Sequence, residues 1–515
     1  MTHPARSVVV HGHFYQPPRE DPWTGEVPKQ PSAAPYHDWN ERIEDECYGP
    51  VTRSRVLREG RPPEPVNTLA WMSFDFGPTL LVWLERHAPE THRAIVEADG
   101  ESARRLGGHG NAMAMPYHHP ILPLSHPRDR LTEIRWGMAD FRRRFGRHPE
   151  GMWLPETAVD GATLDALAGE GIRFTVLAPH QVTPVPEAGR PGRFVTKRGR
   201  EIALFVYDGR LSHAVAFGDL VEDGVAWADT MASEGAALRS LATDGETFGH
   251  HHTFGEMGLA KALVELRSKP EVRLENFASF LAREGTRETV GIVEPSSWSC
   301  AHGVDRWRRA CGCRIDPAAA THQEWRGPLR SALEWLAEEV HGIFEREGAV
   351  FFDDPWTARD AYGEIVWRVT STTDRVALDP GSALEAVLRP RGSTGERPVG
   401  DAPGGRSGTG SDARTLSGRA LELLEMERNT LRLFTSCAWF FDDVAGLEPR
   451  QVLAYAARAL ELAGVAGSRL RSGLSERLAE ARSNDPDAGT AADVFREVER
   501  GLVSGPSPAG TAPRR

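Results

Sequence analysis

The chain has 515 residues, of which 40% are hydrophobic, so it is long enough to form more than one hydrophobic core. Its formal net charge of -12 at pH 7 is spread along the sequence, which argues against nucleic-acid and membrane partners. No apolar run reaches the roughly eighteen residues of a membrane span, and the five cysteines favour reduced thiols, so we expect a cytoplasmic protein without a signal peptide.

The first part of the chain alternates predicted strands with predicted helices. This alternation indicates a parallel sheet with right-handed crossovers, either closed into a barrel or open. Residues 190–220 are predicted to form β-hairpins, with Asp208-Gly209 as a turn signal. The strands are predicted at 7–10, 67–76, 172–178, 238–242 and 289–293, and residues 108–124 are predicted to form a further strand that runs into a loop. The helices are predicted at 79–87, 94–105, 128–145, 225–234, 257–267 and 274–284.

The pattern becomes helical after residue 315. Predicted helices cover 318–346, 358–368, 383–388, 419–434, 449–463, 473–482 and 491–502. Residues 390–418 are rich in Gly, Ser, Pro and Arg, which is typical of a disordered insertion. The predicted organisation is an α/β domain at 1–315, a helical segment at 316–389, the insertion at 390–418, a C-terminal helical domain at 419–504 and a disordered tail at 505–515.

Two carboxylates follow predicted strands. Glu156 comes after the apolar run 152–154 in the stretch GMWLPETAVD, and Asp244 follows the strand at 238–242. Two carboxyl groups across a cleft are what glycoside hydrolysis needs: one protonates the leaving oxygen, and the other attacks the sugar or activates water. One must hold a proton while the other is ionised. The alternative for Glu156 is that it only caps the following helix.

Two groups of residues invite a metal interpretation. The histidines have no H-E-x-x-H spacing, which favours hydrogen bonds to sugar hydroxyls or structural roles. The spacing C-x-H-x8-C-x-C is tighter than that of ordinary zinc sites, which favours reduced, partly buried thiols. No metal and no cofactor is therefore predicted. The residues concerned are His11, His13, His118, His119 and His250 to His252 in the first group, and Cys300, His302, Cys311 and Cys313 in the second.

Five motifs resemble those of glycoside hydrolase family 57, in the same order along the chain. They are HGHFYQPP (11–18), HHPILPL (118–124), MWLPET (152–157), DGETFGHHH (244–252) and, more weakly, EPSSWSCAHG (294–303). The third motif places the family's nucleophile on Glu156, and the fourth places its acid/base on Asp244. The helical part resembles a C-terminal domain of unknown function found in a subset of this family.

The resemblance implies an α/β fold, a (β/α)7-type distorted barrel followed by an all-α helical domain. It also implies double displacement with retention on an α-glucan, as an α-amylase, 4-α-glucanotransferase or branching enzyme, with a carbohydrate as the partner. The residues expected to contact sugar are His11, His13, Gln16, His119 and His250 through hydrogen bonds, and Trp153 and Trp298 through stacking. Residues 110–113 lack the family's usual acidic residue, and Ser296-Ser297-Trp298 lacks its Asp, so a different glycan is conceivable.

Two further functions stay open at this level. A metal-dependent polysaccharide deacetylase on a related barrel needs one Asp and two His around a metal, and the chain has no His-x3-His pair. An inactive glycan-binding protein is the other, although Glu156 and Asp244 are both present. The helical domain is expected to form a lid or wall of the sugar cleft, with Trp439, Asp442 and Asp443 as its contribution.

Overall fold

The structure, a computed structural model, describes residues 6–57, 60, 62–369, 374–388 and 414–501. The predicted tail at 505–515 and the predicted insertion up to residue 413 lie outside these residues. The strands are β1 (Arg6–Phe14), β2 (Ser54–Val56), β3 (Glu64–Val66), β4 (Ser73–Phe76), β5 (Ala112–Met113), β6 (Phe174–Leu177), β7 (Val182–Thr183), β8 (Gly192–Val195), β9 (Glu201–Val206), β10 (Leu238–Asp244), β11 (Val272–Leu274), β12 (Gly291–Ile292), β13 (Val376–Ala377) and β14 (Thr415–Leu416).

Helices follow most of the strands and make up nearly all of the C-terminal part. They are α1 (Trp39–Ile43), α2 (Gly49–Thr52), α3 (Pro78–His87), α4 (Pro89–Arg105), α5 (Pro127–Phe145), α6 (Gly161–Gly169), α7 (Gly209–Ala216), α8 (Gly224–Met231), α9 (Gly255–Ser268), α10 (Phe277–Glu284), α11 (Arg326–Gly348), α12 (Pro355–Tyr362), α13 (Ala383–Val387), α14 (Gly418–Arg432), α15 (Cys437–Phe440), α16 (Leu447–Leu462), α17 (Gly467–Leu478) and α18 (Ala491–Glu499). Within the described ranges, none of these helices has the length and apolar character needed to cross a bilayer.

The parallel strands follow one another around a distorted barrel. β1 pairs with β10 on one side and with β4 on the other, and β4 pairs with β5. Residues 151–152 bridge Ala114 on one side and Phe174 of β6 on the other, and β6 pairs with β9. A hydrogen bond from Asp208 N to Ser240 O, 2.7 Å long, joins the end of β9 to β10. This is the predicted (β/α)7-type arrangement, and it brings the carboxyl ends of seven parallel segments to one rim.

Three predicted elements were wrong in detail. Asp208 does not form a hairpin turn; its carboxylate accepts hydrogen bonds from the first amides of α7, so β9 runs into a helix. Residues 68–70 form a short 3-10 helix capped by Asn67, which shortens the predicted strand at 67–76 to β4. The predicted strand at 289–293 is only β12, which pairs antiparallel with β7 beside the barrel. Local side-chain caps explain the first two differences.

A buried ion network docks the helical part onto the barrel. The Arg359 guanidinium of α12 contacts Asp129 of α5 at 2.8 Å and Glu427 of α14 at 2.6 Å. His341 of α11 bridges the same two carboxylates. Removing one partner of such a buried pair typically costs about 3–5 kcal/mol, because the other charge is then left uncompensated. The helical part is therefore held firmly beside the barrel rim.

Candidate active site

Three neighbouring strands, β1, β4 and β10, bring titratable side chains together at the rim of the barrel. In the strand register, His13 of β1 lies opposite Asp75 of β4 on one side and opposite Asp244 of β10 on the other. His11 lies two residues before His13, so both imidazoles point to the same face of β1. Parallel pairing alone thus assembles this cluster.

Asp75 organises the two histidines, although sequence reasoning did not select it. His11 Nε2 lies 3.0 Å from one of its carboxylate oxygens, and His13 Nδ1 lies 2.8 Å from the other. Burial would raise the pKa of Asp75, but the charge of His13 and the two hydrogen bonds outweigh burial and lower it. Asp75 is therefore an anion with no exposed surface. Its only sequence signal was a lone carboxylate in the buried strand SFDF.

The histidine chain has a definite proton arrangement. Burial lowers the pKa of His13, but the carboxylates of Asp75, Asp244 and Glu246 outweigh burial and raise this pKa to about 9. His13 is therefore an imidazolium at neutral pH. Burial and the charge of His13 hold the pKa of His119 well below its usual value. His13 Nε2 therefore donates to His119 Nε2 across 3.3 Å, and His119 Nδ1 donates to Ser436 Oγ across 2.6 Å. Ser436 belongs to the helical part, which thereby completes the site.

Glu156 sits on a strained turn directly after the barrel segment 151–152. Its φ is 58° and that of Thr157 is 47°, a left-handed conformation that non-glycine residues adopt only when their surroundings impose it. Two donors bind the same oxygen, Oε2: Trp298 Nε1 at 3.1 Å and Ser299 Oγ at 2.5 Å. The Trp298 amide also donates to the Glu156 carbonyl at 3.0 Å. The carboxylate is thus fixed in direction by the loop after β12.

The helix-cap alternative for Glu156 is excluded. The N-cap of α6 is Asp160, whose Oδ1 accepts a hydrogen bond from Thr163 N at 2.7 Å. Glu156 lies four residues earlier, and its side chain bonds the loop after β12 instead. Its position therefore has no role in starting the helix.

Asp244 is the second carboxylate at the rim. Its side chain has solvent access, yet the dense surrounding protein and the negative charges of Glu246, Glu156 and Asp75 raise its pKa to about 7, against the opposing charge of His13. Because the charge of Glu156 is among those that raise the pKa of Asp244, the two carboxylates lie close enough to interact electrostatically. Asp244 therefore exchanges a proton near neutral pH.

Glu246, whose negative charge helps to raise the pKa of Asp244, was also missed, although it lies in the motif DGETFGHHH. It is buried and accepts hydrogen bonds from Tyr48 Oη at 2.5 Å and Tyr15 N at 3.2 Å. The Tyr15 ring stacks on His119 with ring centroids 3.7 Å apart. These contacts hold Glu246 and the Tyr15 ring in fixed positions beside the histidines.

The remaining predicted sugar contacts lie in different places. Trp153 is fully buried beneath the two histidines, 4.7 Å from the His11 ring and 5.3 Å from the His13 ring, so no sugar face can reach it and its stacking role is corrected. His11 is likewise fully buried, and its two ring nitrogens bond Ser73 and Asp75, so its direct hydrogen bond to sugar is corrected too. Trp298 is half-buried and lies at the rim.

Gln16 and His250 lie outside the histidine chain. The Gln16 carbonyl oxygen accepts a hydrogen bond from Arg19 at 2.9 Å. His250 Nδ1 bonds Glu46 at 2.5 Å, and its ring lies edge-on to Trp39. Both residues are partly exposed and belong to walls of the rim.

Two of the residues expected to form a lid or wall, Trp439 and Asp443, are engaged within the helical part. Trp439 is fully buried, with its Nε1 donating to Arg326 O. Asp443 accepts hydrogen bonds from Ser483 Oγ and Asn484 N, which join it to a distant part of the helical domain. The helical part reaches the site through Ser436 instead, a residue with no sequence signal.

Among the described residues, the side chains that could share a metal ion do not lie at the rim. Asp75, His11 and His13 form an Asp-His-His set, but each nitrogen bonds a carboxylate oxygen directly, so their donors do not converge on a shared point. Within the described part of the chain, one group has converging ligand atoms: those of Cys300, His302, Cys311 and Cys313 lie within 4.8 Å of one another. The structure thus gives no support to a deacetylase-type metal centre.

Comparison with solved structures supports the fold. An exo-type maltose-forming amylase from Pyrococcus sp. ST04 superposes with a TM-score of 0.70, covering 97% of this chain and 92% of that chain at 15% identity. A 4-alpha-glucanotransferase from Thermococcus litoralis has a TM-score of 0.51 at 16% identity, with 89% and 60% covered. A GH57-type branching enzyme from Pyrococcus horikoshii also has 0.51, at 15% identity, with 96% and 94% covered. At these identities the likeness concerns the fold alone.

Sequence comparison identifies the two parts of the chain. An alpha-amylase 1 from Dictyoglomus thermophilum is 27% identical over 194 residues, which is 36% of this chain and 26% of the relative. The chain thus spans about a quarter of the length of that curated relative. Residues 42–292 match the model of glycosyl hydrolase family 57, and residues 321–377 and 408–506 match the domain of unknown function DUF3536. The barrel part of the chain thus matches glycosyl hydrolase family 57, and the helical part matches DUF3536.

Proposed function

We propose that this protein is a retaining enzyme acting on an α-glycan, with Glu156 as the nucleophile and Asp244 as the acid/base. One observation carries the proposal: the two carboxylates interact electrostatically, but their surroundings differ. Glu156 accepts two hydrogen bonds at one oxygen, while crowding and negative charge raise the pKa of Asp244 to about 7. Such a difference is what double displacement requires.

Glu156 is held in a geometry suited to attack. Trp298 and Ser299 both bind Oε2, which leaves Oε1 to approach the anomeric carbon. The strained turn fixes the carboxylate beyond the barrel rim, where a positioned nucleophile gains from a low entropy cost of attack. As the bond to the sugar forms, the leaving oxygen takes the proton of Asp244.

The coupling of the two carboxylates lets Asp244 exchange roles. While Glu156 is an anion, its charge helps to raise the pKa of Asp244 and keeps Asp244 protonated as the acid. Once Glu156 is esterified by the sugar, that charge is gone, and the imidazolium of His13 then favours the Asp244 anion. Asp244 thus becomes the base that deprotonates the acceptor, which is water in hydrolysis and a sugar hydroxyl in transfer.

The activities of relatives support the choice of substrate class. The structural relatives named above are described as a maltose-forming amylase, a 4-alpha-glucanotransferase and a branching enzyme, and the curated relative as an alpha-amylase. We infer from these names that the substrate is an α-glucan or a closely related α-glycan. Exclusion of water by the loops around Trp298 and Tyr15 would decide between hydrolysis and transfer.

The experiment that tests this function uses the full chain and α-glucans of different linkage. Chain length and branch content of the products are measured by chromatography, and the anomer released first is followed by NMR. We expect new reducing ends or new linkages with the α-anomer retained, and no turnover by Glu156→Gln. Binding of glucans without turnover by the wild type would instead identify an inactive glycan-binding protein. First release of the β-anomer would exclude retention.

A further inference from the structure

A cluster of three thiols and one imidazole lies in the loop after Trp298. Cys300 Sγ is 3.9 Å from Cys311 Sγ and 3.8 Å from Cys313 Sγ. Cys313 Sγ is 3.6 Å from His302 Nδ1. All four ligand atoms lie within 4.8 Å of one another. The loop thus folds two close pairs, Cys300 with His302 and Cys311 with Cys313, onto one point.

These separations match a shared tetrahedral metal ion. Zinc–sulfur bonds of about 2.3 Å and zinc–nitrogen bonds of about 2.0–2.1 Å place tetrahedral sulfur atoms about 3.8 Å apart and sulfur about 3.6 Å from nitrogen. A disulfide would hold two sulfurs at about 2.05 Å, far closer than any pair here. The ligand atoms are therefore spaced for coordination rather than for a covalent bond.

We propose that Cys300, His302, Cys311 and Cys313 bind one structural Zn²⁺ ion. Three thiolates and one imidazole are a soft, closed set of four ligands, which is typical of structural zinc and unlike the oxygen-rich sites of Mg²⁺ or Ca²⁺. The prediction of no metal rested on the tight C-x-C spacing. That spacing is compatible with a site because eight residues separate the second pair from the first, which lets the loop fold back on itself.

The site lies between the nucleophile and the helical domain. Ser299, which bonds Glu156, directly precedes Cys300. On the other side, Arg326 of α11 donates to Cys313 O at 2.8 Å and to Phe441 O at 3.3 Å. Arg306 similarly joins Ser299 O to Phe440 O. Zinc at this point would attach the loop to the DUF3536 domain, and the same loop orients Glu156.

This proposal goes beyond the proposed function and does not depend on it, because its first readout is metal content. The full chain, purified without an affinity tag that binds metal, is analysed by inductively coupled plasma mass spectrometry. We expect about one zinc per chain in the wild type and a loss of that zinc in Cys311→Ser and Cys313→Ser. The matched control is Cys47→Ser, a buried cysteine outside the cluster, which should keep its zinc.

A second pair of variants keeps the test valid if the serine variants do not fold. His302 is the exposed member of the cluster, so its replacement disturbs packing least. We expect His302→Ala to bind zinc about 100-fold more weakly in competition with a chelator, and His302→Cys to retain it with four thiolates. Cobalt substituted into the wild type should show thiolate charge-transfer bands and the visible bands of a tetrahedral site.

Three outcomes would overturn the proposal. One is a wild type that holds no zinc and shows no thiolate bands with cobalt. Another is a metal content that is unchanged in His302→Ala and Cys313→Ser. The third is a disulfide between two cluster cysteines in protein purified anaerobically, detected by mass spectrometry of its peptides.

Discussion

The regions around Glu156 and Asp244 differ in what holds each carboxylate. Glu156 lies on a strained turn and is directed by neutral donors, Trp298 and Ser299, from a loop far along the chain. Asp244 ends a barrel strand beside the charged cluster of His13 and Glu246, and desolvation together with neighbouring charges, rather than hydrogen bonding, sets its pKa. Two carboxyl groups of similar intrinsic acidity thus have different surroundings, which suit the different tasks proposed for them.

The largest effect is expected from Glu156→Ala. Removal of the nucleophile should lower kcat by about 10⁴-fold or more, because no other group can form the covalent intermediate. With an activated α-glycoside, added azide should restore turnover and give the β-glycosyl azide, detected by NMR. Asp244→Ala with azide is the matched comparison and should give the α-azide. If both variants gave the same anomer of the glycosyl azide, the assignment of different roles to Glu156 and Asp244 would be wrong.

The next effect is expected from Asp244→Asn. Loss of the general acid should lower kcat/KM on a substrate with a poor leaving group by about 10²–10⁴-fold, with a much smaller loss on an activated one. The raised pKa of Asp244 means that its proton is present below, and lost above, about pH 7. Wild-type kcat/KM should therefore fall on the alkaline side near pH 7. If the alkaline fall in kcat/KM persisted unchanged in Asp244→Asn, the titrating group would be a residue other than Asp244.

His13→Gln tests the charge that distinguishes the Asp244 region. The imidazolium of His13 lowers the pKa of Asp244, so its removal should raise that pKa and move the alkaline limb of kcat/KM to higher pH by about one unit. Activity at the optimum should also fall, since the hydrogen bond to His119 is lost. His250→Gln is the control, because His250 bonds Glu46 at the rim wall. A shift toward lower pH would contradict the charge assignment.

The smallest effect is expected from Ser299→Ala. One of the two hydrogen bonds to Glu156 is lost, which should lower kcat by about tenfold and leave the alkaline limb in place. The exposed Ser472 of α17 provides the control variant Ser472→Ala, with unchanged kinetics. If the alkaline fall in kcat/KM moved in Ser299→Ala, the surroundings of Glu156 would also control the pKa of Asp244, and the two regions would not be independent.

Local pattern predicted much of the barrel and the position of the two carboxylates after strand segments. Strand and helix alternation predicted the parallel order, and Glu156 and Asp244 were selected because each follows a strand. Predictions failed where a single side chain redirected the backbone, as Asp208 does when it caps α7. They also failed for Trp153, whose burial depends on which rings pack above it.

The sequence by itself determined the order of elements and the residues available at the barrel rim, because strand periodicity and chain order are local properties. Only the tertiary structure decided the partners of these residues. Ser436 reaches His119 across 317 positions, and Ser299 reaches Glu156 across 143. Protonation follows from such contacts, since burial and neighbouring charges separate the pKa values of His13 and His119. Identical side chains therefore differ in charge because of what the fold places beside them.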